Sequence, residues 1–312
     1  MDALVALRSA VRAELEKFSA GDLVLIGVSG GADSLALAYA TELEAKKLAI
    51  RVAAIVIDHQ LQSGSDEVAK KVCKQLEIAN IECQVVKVNV EVTDGIEASA
   101  RRARYEAFEN IAKEMNAVAI FLGHTKDDQA ETVLLGLARG SGARSLSGMA
   151  ARNGIYVRPF LTITRTQTVT ACKELGLEPW NDPHNDDLSF LRVRVRKSVL
   201  PIMENELGPG IADALVRSAQ LLRDDADALD NLANQFWAKD KSLAVEALEK
   251  LPKAIRSRVL RLALIEKGAL QVSAEQIGQV EALISNWKGQ GEVSLPAGVK
   301  VSRISGRLTL SN

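Results

Sequence analysis

Cysteine, histidine and proline are scarce: the 312 residues hold three, three and seven of them, and aromatic residues make up 4%. Cys73, Cys83 and Cys172 form no C-x-x-C pair and no ligand cluster with His59, His124 and His184. A disulfide framework and a zinc site are therefore not expected, and the cysteines read as separate, buried or inert thiols. No apolar run approaches the roughly 18 uncharged residues of a membrane helix, and Met1 to Lys17 is a mixed-charge amphipathic stretch unlike a signal peptide. A cytoplasmic protein without membrane contact is the expectation. Charge of neither sign dominates, with 39 basic against 40 acidic residues. Internal repeats and low-complexity tracts are also missing, and 47% hydrophobic composition excludes a disordered chain.

What is present is an alternation. Leu23 to Val28, Arg51 to Ile57, Cys83 to Val88 and Ala117 to Leu122 read as strands, each followed by an amphipathic segment of helical length. Their nearly unbroken hydrophobicity suits strands buried on both faces, which predicts an α/β, doubly wound parallel sheet with its crevice at the carboxyl ends of the strands. Ile155 to Leu161 is a candidate fifth strand. Leu-Gly-Pro-Gly at 207 to 210 predicts a boundary, giving a catalytic domain over 1–208 and a smaller, α-rich domain over 209–312. In the latter, Ile211 to Trp237 and Ser242 to Lys267 read as helices and Val293 to Leu310 as a hairpin.

The first strand delivers Ser29-Gly30-Gly31-Ala32-Asp33-Ser34 into a helix. Gly27-Val28-Ser29-Gly30-Gly31 satisfies the G-x-S-x-G pattern of a nucleophile elbow, but only one strand precedes it and no glycine-rich oxyanion segment does. A helix N-terminus opened by two glycines suits a phosphate better. The lysine of a Walker loop is missing, and Asp33 is either a helix cap or a ligand of a Mg²⁺ ion bridging to phosphate. After the fourth strand, His124, Asp127 or Asp128, and Glu131 recur at helical spacing and face the same crevice. Thr125 as N-cap explains the two aspartates alone; with His124 and Glu131 the patch could hold Mg²⁺ or an ammonium group. Asp58-His59 ends the second strand. Basic residues gather in two places: Arg139, Arg144, Arg152, Arg158 and Arg165 lie in a stretch without acids, and Arg192, Arg194 and Arg196 alternate with valines. Extended backbone would put the last three on one face, whereas a helix would align Arg192 with Arg196.

Ser29 to Ser34 resembles the SGGxDS signature of the PP-loop ATP pyrophosphatases. GHTKDDQAETVLLGLARGSGARSLSGM, the Arg158-Pro-Phe-Leu that follows, Asp58-His59, Ala100 to Tyr105, Asp182 to Asn185 and the Arg192 to Arg196 run are similar to the tRNA(Ile)-lysidine synthetase family over roughly residues 20 to 210. Gln62, His184 and Val193 depart from its pattern. The resemblance implies ATP and Mg²⁺ as cofactors and, as partners, free L-lysine and the isoleucine tRNA whose anticodon is CAU, with the oligomeric state open and a homodimer one option. The implied reaction adenylates O2 of the wobble cytidine and then lets the lysine ε-amine displace AMP at C2. On this reading Ser29, Gly30, Gly31, Ala32, Asp33, Ser34, Asp58 and His59 bind ATP, and Asp33, Asp127 and Asp128 hold the metal. Arg101, Arg104, His124 and Glu131 join those aspartates as catalytic candidates. Arg139, Arg144, Arg158, Arg192, Arg194 and Arg196 face the tRNA. A cysteine-dependent tRNA thiolase of the same superfamily is the alternative.

Overall fold

A computed structural model describes residues 3–60, 64–91, 93, 95–140 and 142–311; Gln62 lies outside them. The chain divides into two compact units, Met1–Gln220 and Leu221–Asn312. The division falls within one long helix, Ile211–Lys239, beyond the glycine turn where the sequence suggested a boundary.

In the first unit, α1 (Ala3–Leu15) precedes four strand–helix repeats: β1 (Leu23–Gly27) and α2 (Ala32–Ala45), β2 (Arg51–Asp58) and α3 (Ser65–Ile78), β3 (Glu82–Lys87) and α4 (Ile96–Glu114), β4 (Ala119–Leu122) and α5 (Lys126–Ala138). Then come the short α6 (Ala143–Leu146), β5 (Arg152–Asn153), β6 (Tyr156–Val157), α7 (Arg165–Glu174), α8 (Leu191–Arg194), a π-helical stretch over Val195–Val199 and α9 (Leu200–Glu206). The sheet order is β3-β2-β1-β4-β6-β5, parallel except for the β5–β6 pair. The expected fifth strand is thus a two-residue strand in a small hairpin, because Pro159 has no N–H to offer a ladder.

Strand alternation fills two cores. Val24, Ile26, Ala54 and Phe121 point towards α1, α2, α3 and α7, while Leu25, Ile55, Ile120 and Leu122 meet Phe108, Ile111 and Ala112 of α4. The chain winds from β1 out to β3 and returns to place β4 on the other side of β1, so the direction of winding reverses between β1 and β4. Open α/β sheets place their sites at such a point. Cys73 of α3 and Cys83 of β3 are joined by a disulfide, which corrects the expectation of three separate thiols: helix and strand bring the two Cα atoms to 5.4 Å. Cys172 alone is free and buried.

In the second unit, α10 (Ile211–Lys239) supplies its C-terminal part, followed by α11 (Val245–Glu249), α12 (Lys253–Glu266), α13 (Ala274–Ser285) and the sheet β7 (Val293–Ser294), β8 (Lys300–Ile304), β9 (Arg307–Ser311). The single helix expected over 242–267 is two, because Pro252 disfavours helical backbone at Leu251. Val259, Leu264, Val280, Leu283 and Val301 form the core. Among the described residues no helix is long and apolar enough to cross a membrane.

The packing of α1 on α2 centres on a charge. Glu44, 1% exposed, is met by Arg8 and Arg12 at 2.6 Å and by Lys47 at 2.8 Å. Burial pushes its carboxyl up, but Lys47, Arg8 and Arg12 outweigh this and draw it down to about 2. A folded-state value below the ordinary 4.5 stabilises the fold fully above pH 4.5, and the gain fades as the pH falls towards 2. Glu44→Gln should therefore cost about 3 kcal/mol at pH 7 and little near pH 2, as read from urea melts; a penalty independent of pH would refute the assignment.

Candidate functional site

The turn after β1 is a cradle. Gly30 has a φ of +86°, and a Cβ there would lie 2.6 Å from Val72 Cγ2, so only glycine fits. Gly31 is the N-cap of α2, which has no side-chain cap, leaving the first N–H groups of the helix open to an anion. Ser34 Oγ donates to the Gly31 carbonyl (2.9 Å) and accepts from the Ser29 N–H (3.1 Å). With that proton engaged, the 3.2 Å contact between the two hydroxyls has Ser29 as donor. Ser29 faces a hydroxyl where a nucleophile would face a base, which removes the elbow reading. Gly123, at the end of β4, fits as closely: a Cβ there would meet the Asp33 carbonyl at 3.0 Å.

Across this close approach lie the acids. Thr125 caps α5 in a reciprocal pair with Asp128, whose Oδ2 accepts from the Thr125 N–H at 2.8 Å. Capping consumes one oxygen of Asp128; Oδ1 accepts from Arg165 Nη2 at 2.9 Å. The same guanidinium reaches Asp33 Oδ2 and Glu131 Oε1, each at 3.5 Å. Asp33 Oδ1 accepts from the Thr168 hydroxyl. Asp127 is separated from this group: its carboxylate accepts the backbone N–H of Arg165 (2.7 Å) and so ties α5 to the start of α7. Glu131, with no solvent exposure, accepts from Arg196 Nε at 2.7 Å and Arg192 Nε at 2.9 Å.

Electrostatics follow from this arrangement. Burial raises the Asp33 carboxyl above its ordinary range, against the hydrogen bond from Thr168 and the charge of Arg165. For Asp128 burial also pushes up, yet Arg165, the Thr125 N–H and Arg192 together hold it below the ordinary value. Burial lowers His124 to about 4 despite nearby Asp128, with Arg158 and Arg192 adding to the fall. Burial and Arg104 lower His59 to about 4 as well. Arg104 can only donate, so His59 Nε2, 3.2 Å from its Nη2, is the acceptor and Nδ1 carries the proton. His59 Nδ1 and His124 Nδ1 are both buried without a hydrogen-bond partner among the described residues, two open polar atoms at the ends of β2 and β4.

The remaining candidates divide. Asp58 is buried and accepts from the Gln60 N–H. Arg101 lies over the Tyr105 ring, 4.8 Å from its centroid. The backbone at 191–199 is helical, so Arg192 and Arg196 align while Arg194 turns away to the carbonyls of Leu188 and Ser189. Arg192 and Arg196, both partly exposed, neutralise Glu131. Arg158 departs from the surface placement expected of it: it is 7% exposed and donates to the Ala150 carbonyl. Arg139, Arg144 and Arg194 are exposed. Of the departures from the family pattern, Val193 is buried and His184 packs edge-on against Phe190. Arg165 and Thr168 were missed as site residues. Their signal was the helix start Thr164-x-x-Gln167, a capping box that puts both in the first turn of α7.

Two outcomes are expected. Gly30→Ala should weaken ATP binding at least tenfold in a direct titration, and undiminished affinity would mean the loop does not touch phosphate. Neither His59 nor His124 should titrate between pH 5.5 and 8 by NMR. Because their folded values lie below the ordinary 6.5, their contribution to stability is lost as the pH falls from 6.5 towards 4.

Comparison with known proteins places these features in a family. A model described as the PP-loop domain matches residues 7–203, and one described as the TilS substrate binding domain matches 243–309. The tRNA(Ile)-lysidine synthase of Leifsonia xyli is 50% identical over 298 residues, covering 93% of this chain and 90% of that one. That of Thermobifida fusca is 46% identical over 312 residues, covering 98% and 96%. Among solved structures, the U34-tRNA thiolase NcsA from Methanococcus maripaludis, with its [4Fe-4S] cluster, superposes with a TM-score of 0.60 at 19% identity over 71% of this chain and 80% of that one. That likeness shows the fold alone. The near full-length matches go further: this chain belongs to the tRNA(Ile)-lysidine synthase family.

Proposed function

We propose that the protein joins L-lysine to C2 of the wobble cytidine, position 34, in the isoleucine tRNA with a CAU anticodon, consuming ATP and releasing pyrophosphate and AMP. The observation that carries this reading is the meeting, where the winding reverses, of an uncapped glycine cradle with carboxylates from two strand ends converging on one cation. In the first step O2 of the cytosine attacks the α-phosphorus of ATP, and the bond to the pyrophosphate breaks. The N–H groups of Gly30 to Ser34 hold the phosphates and stabilise the charge that develops on them. In the second, the lysine ε-amine attacks C2, AMP leaves with O2, and the amine loses a proton. Adenylation matters because the carbonyl oxygen on C2 is a poor leaving group by itself, whereas a phosphate monoester anion departs readily.

Asp33 and Asp128 suit a Mg²⁺ ion: such sites take one or two carboxylates and fill the rest of the shell with substrate phosphate and water. Bound there, Mg²⁺ would neutralise the phosphates as the pyrophosphate leaves. Neutral His124 and His59 offer polar atoms to the nucleotide or the base without adding charge. Exposed Arg139, Arg144 and Arg194 supply phosphate contacts, and the wobble base is accessible in its single-stranded loop. The thiolase alternative lacks a thiol to work with. Cys83 is bonded to Cys73, and burial, with Asp33 nearby, pushes the Cys172 thiol up to about 11.

Incubation with ATP, Mg²⁺, labelled lysine and the CAU tRNA should shift the wobble nucleoside by the mass of lysine less water. An unmodified nucleoside, or one gaining sulfur, would overturn the assignment. Asp33→Ala should release no pyrophosphate while keeping its melting temperature; turnover comparable to the parent would exclude the metal role of Asp33.

A further inference from the structure

Arg165 has no part in the proposed chemistry, yet it is the side chain on which the site converges. Its guanidinium donates to Asp128 Oδ1 at 2.9 Å and approaches Asp33 Oδ2 and Glu131 Oε1 at 3.5 Å, contacting residues of α2 and α5 from α7. The side chain is only 26% exposed, and the three acids it faces raise its own proton affinity against the effect of burial. Three carboxylates, of Asp33, Asp128 and Glu131, meet three guanidiniums there, of Arg165, Arg192 and Arg196. Arg192 and Arg196 are committed to Glu131 by their shortest contacts. Arg165 is the guanidinium that reaches both Asp33 Oδ2 and Asp128 Oδ1, while Arg196 Nη2 lies 3.6 Å from the latter alone.

From this geometry we infer that Arg165 is a positioning residue, a resident counter-ion that stands where the divalent cation binds and that the incoming metal displaces. The inference rests on the reading that Asp33 and Asp128 hold the metal. With Arg165 in place the carboxylates are already compensated, so a divalent ion arriving without phosphate meets competition and gains little. ATP brings phosphate charge of its own, and only then does exchanging a guanidinium for a divalent ion become favourable. The backbone N–H of Arg165 is fixed on Asp127, so the exchange needs only a side-chain movement, with Glu131 Oε1 as the place of retreat. The counter-ion thus keeps the acids from repelling one another while the site is open and makes metal entry depend on the nucleotide.

Mn²⁺ binding to the full-length protein, followed by EPR without nucleotide, tests this independently of turnover. Arg165→Gln should bind Mn²⁺ at least tenfold more tightly than the parent. Arg165→Lys, which keeps the charge but loses the fork that spans several acids, should fall between. A Gln variant no tighter than the parent overturns the inference; if that variant fails to fold, a Lys variant with parental affinity does the same. Asp33→Asn, with ATP present, separates the two levels of the argument. Loss of Mn²⁺ binding there supports the metal reading, so that a null result at Arg165 would then defeat the counter-ion role alone. Retained binding would overturn both.

Discussion

A carboxylate withdrawn completely from water must be matched by cations that come to it, and the charge of Glu131 organises the first unit's site in this way. Isolated burial of such a group would cost several kcal/mol. Arg192 and Arg196, spaced one helical turn apart, meet it from a segment more than sixty residues further along the chain, and Arg165 approaches from a third element. Once these arginines are anchored, α5, α7 and the stretch from 191 to 199 have fixed positions. Asp128, one turn before Glu131, then finds Arg165 within reach. The carboxylate oxygens of Asp33 and Asp128 are ordered by a demand for charge balance that originates deeper in the protein.

Much of the architecture was legible because its causes are local. Apolar runs such as Leu23 to Ile26, buried on both sides, carry their own signature, and the glycines of the first turn announce an unusual backbone. The acids after β4 were found by helical spacing. Their division of labour was not, because Asp127 and Asp128 are equivalent in a pattern and differ only in what the start of α7 presents to each. Arg165 looked like one more member of a basic stretch, since nothing local distinguishes an arginine that faces solvent from one that faces three acids. Arg158 misled in the opposite direction, because charge suggested surface where the side chain is buried, and the pairing of partly exposed Arg192 and Arg196 with Glu131 left no trace in the sequence. Cys73 and Cys83 show the same limit, as ten residues of separation say nothing about a helix folding back over a strand.

The two histidines at the strand ends carry a related lesson. Burial keeps both rings uncharged near neutrality, so the site's positive charge comes from arginines whose protonation does not vary with pH. A site built this way holds its electrostatic balance across a wide pH range and leaves adjustment to arriving ions and phosphates.

Asp128 joins two kinds of order that are usually separate. One of its oxygens closes the first turn of α5 and the other accepts from Arg165, so the arrangement of the acids exists only while that turn is intact. Helix ends open before cores do. Heating should therefore silence the protein through the fraying of a single turn, at temperatures where the sheet beneath it is still whole.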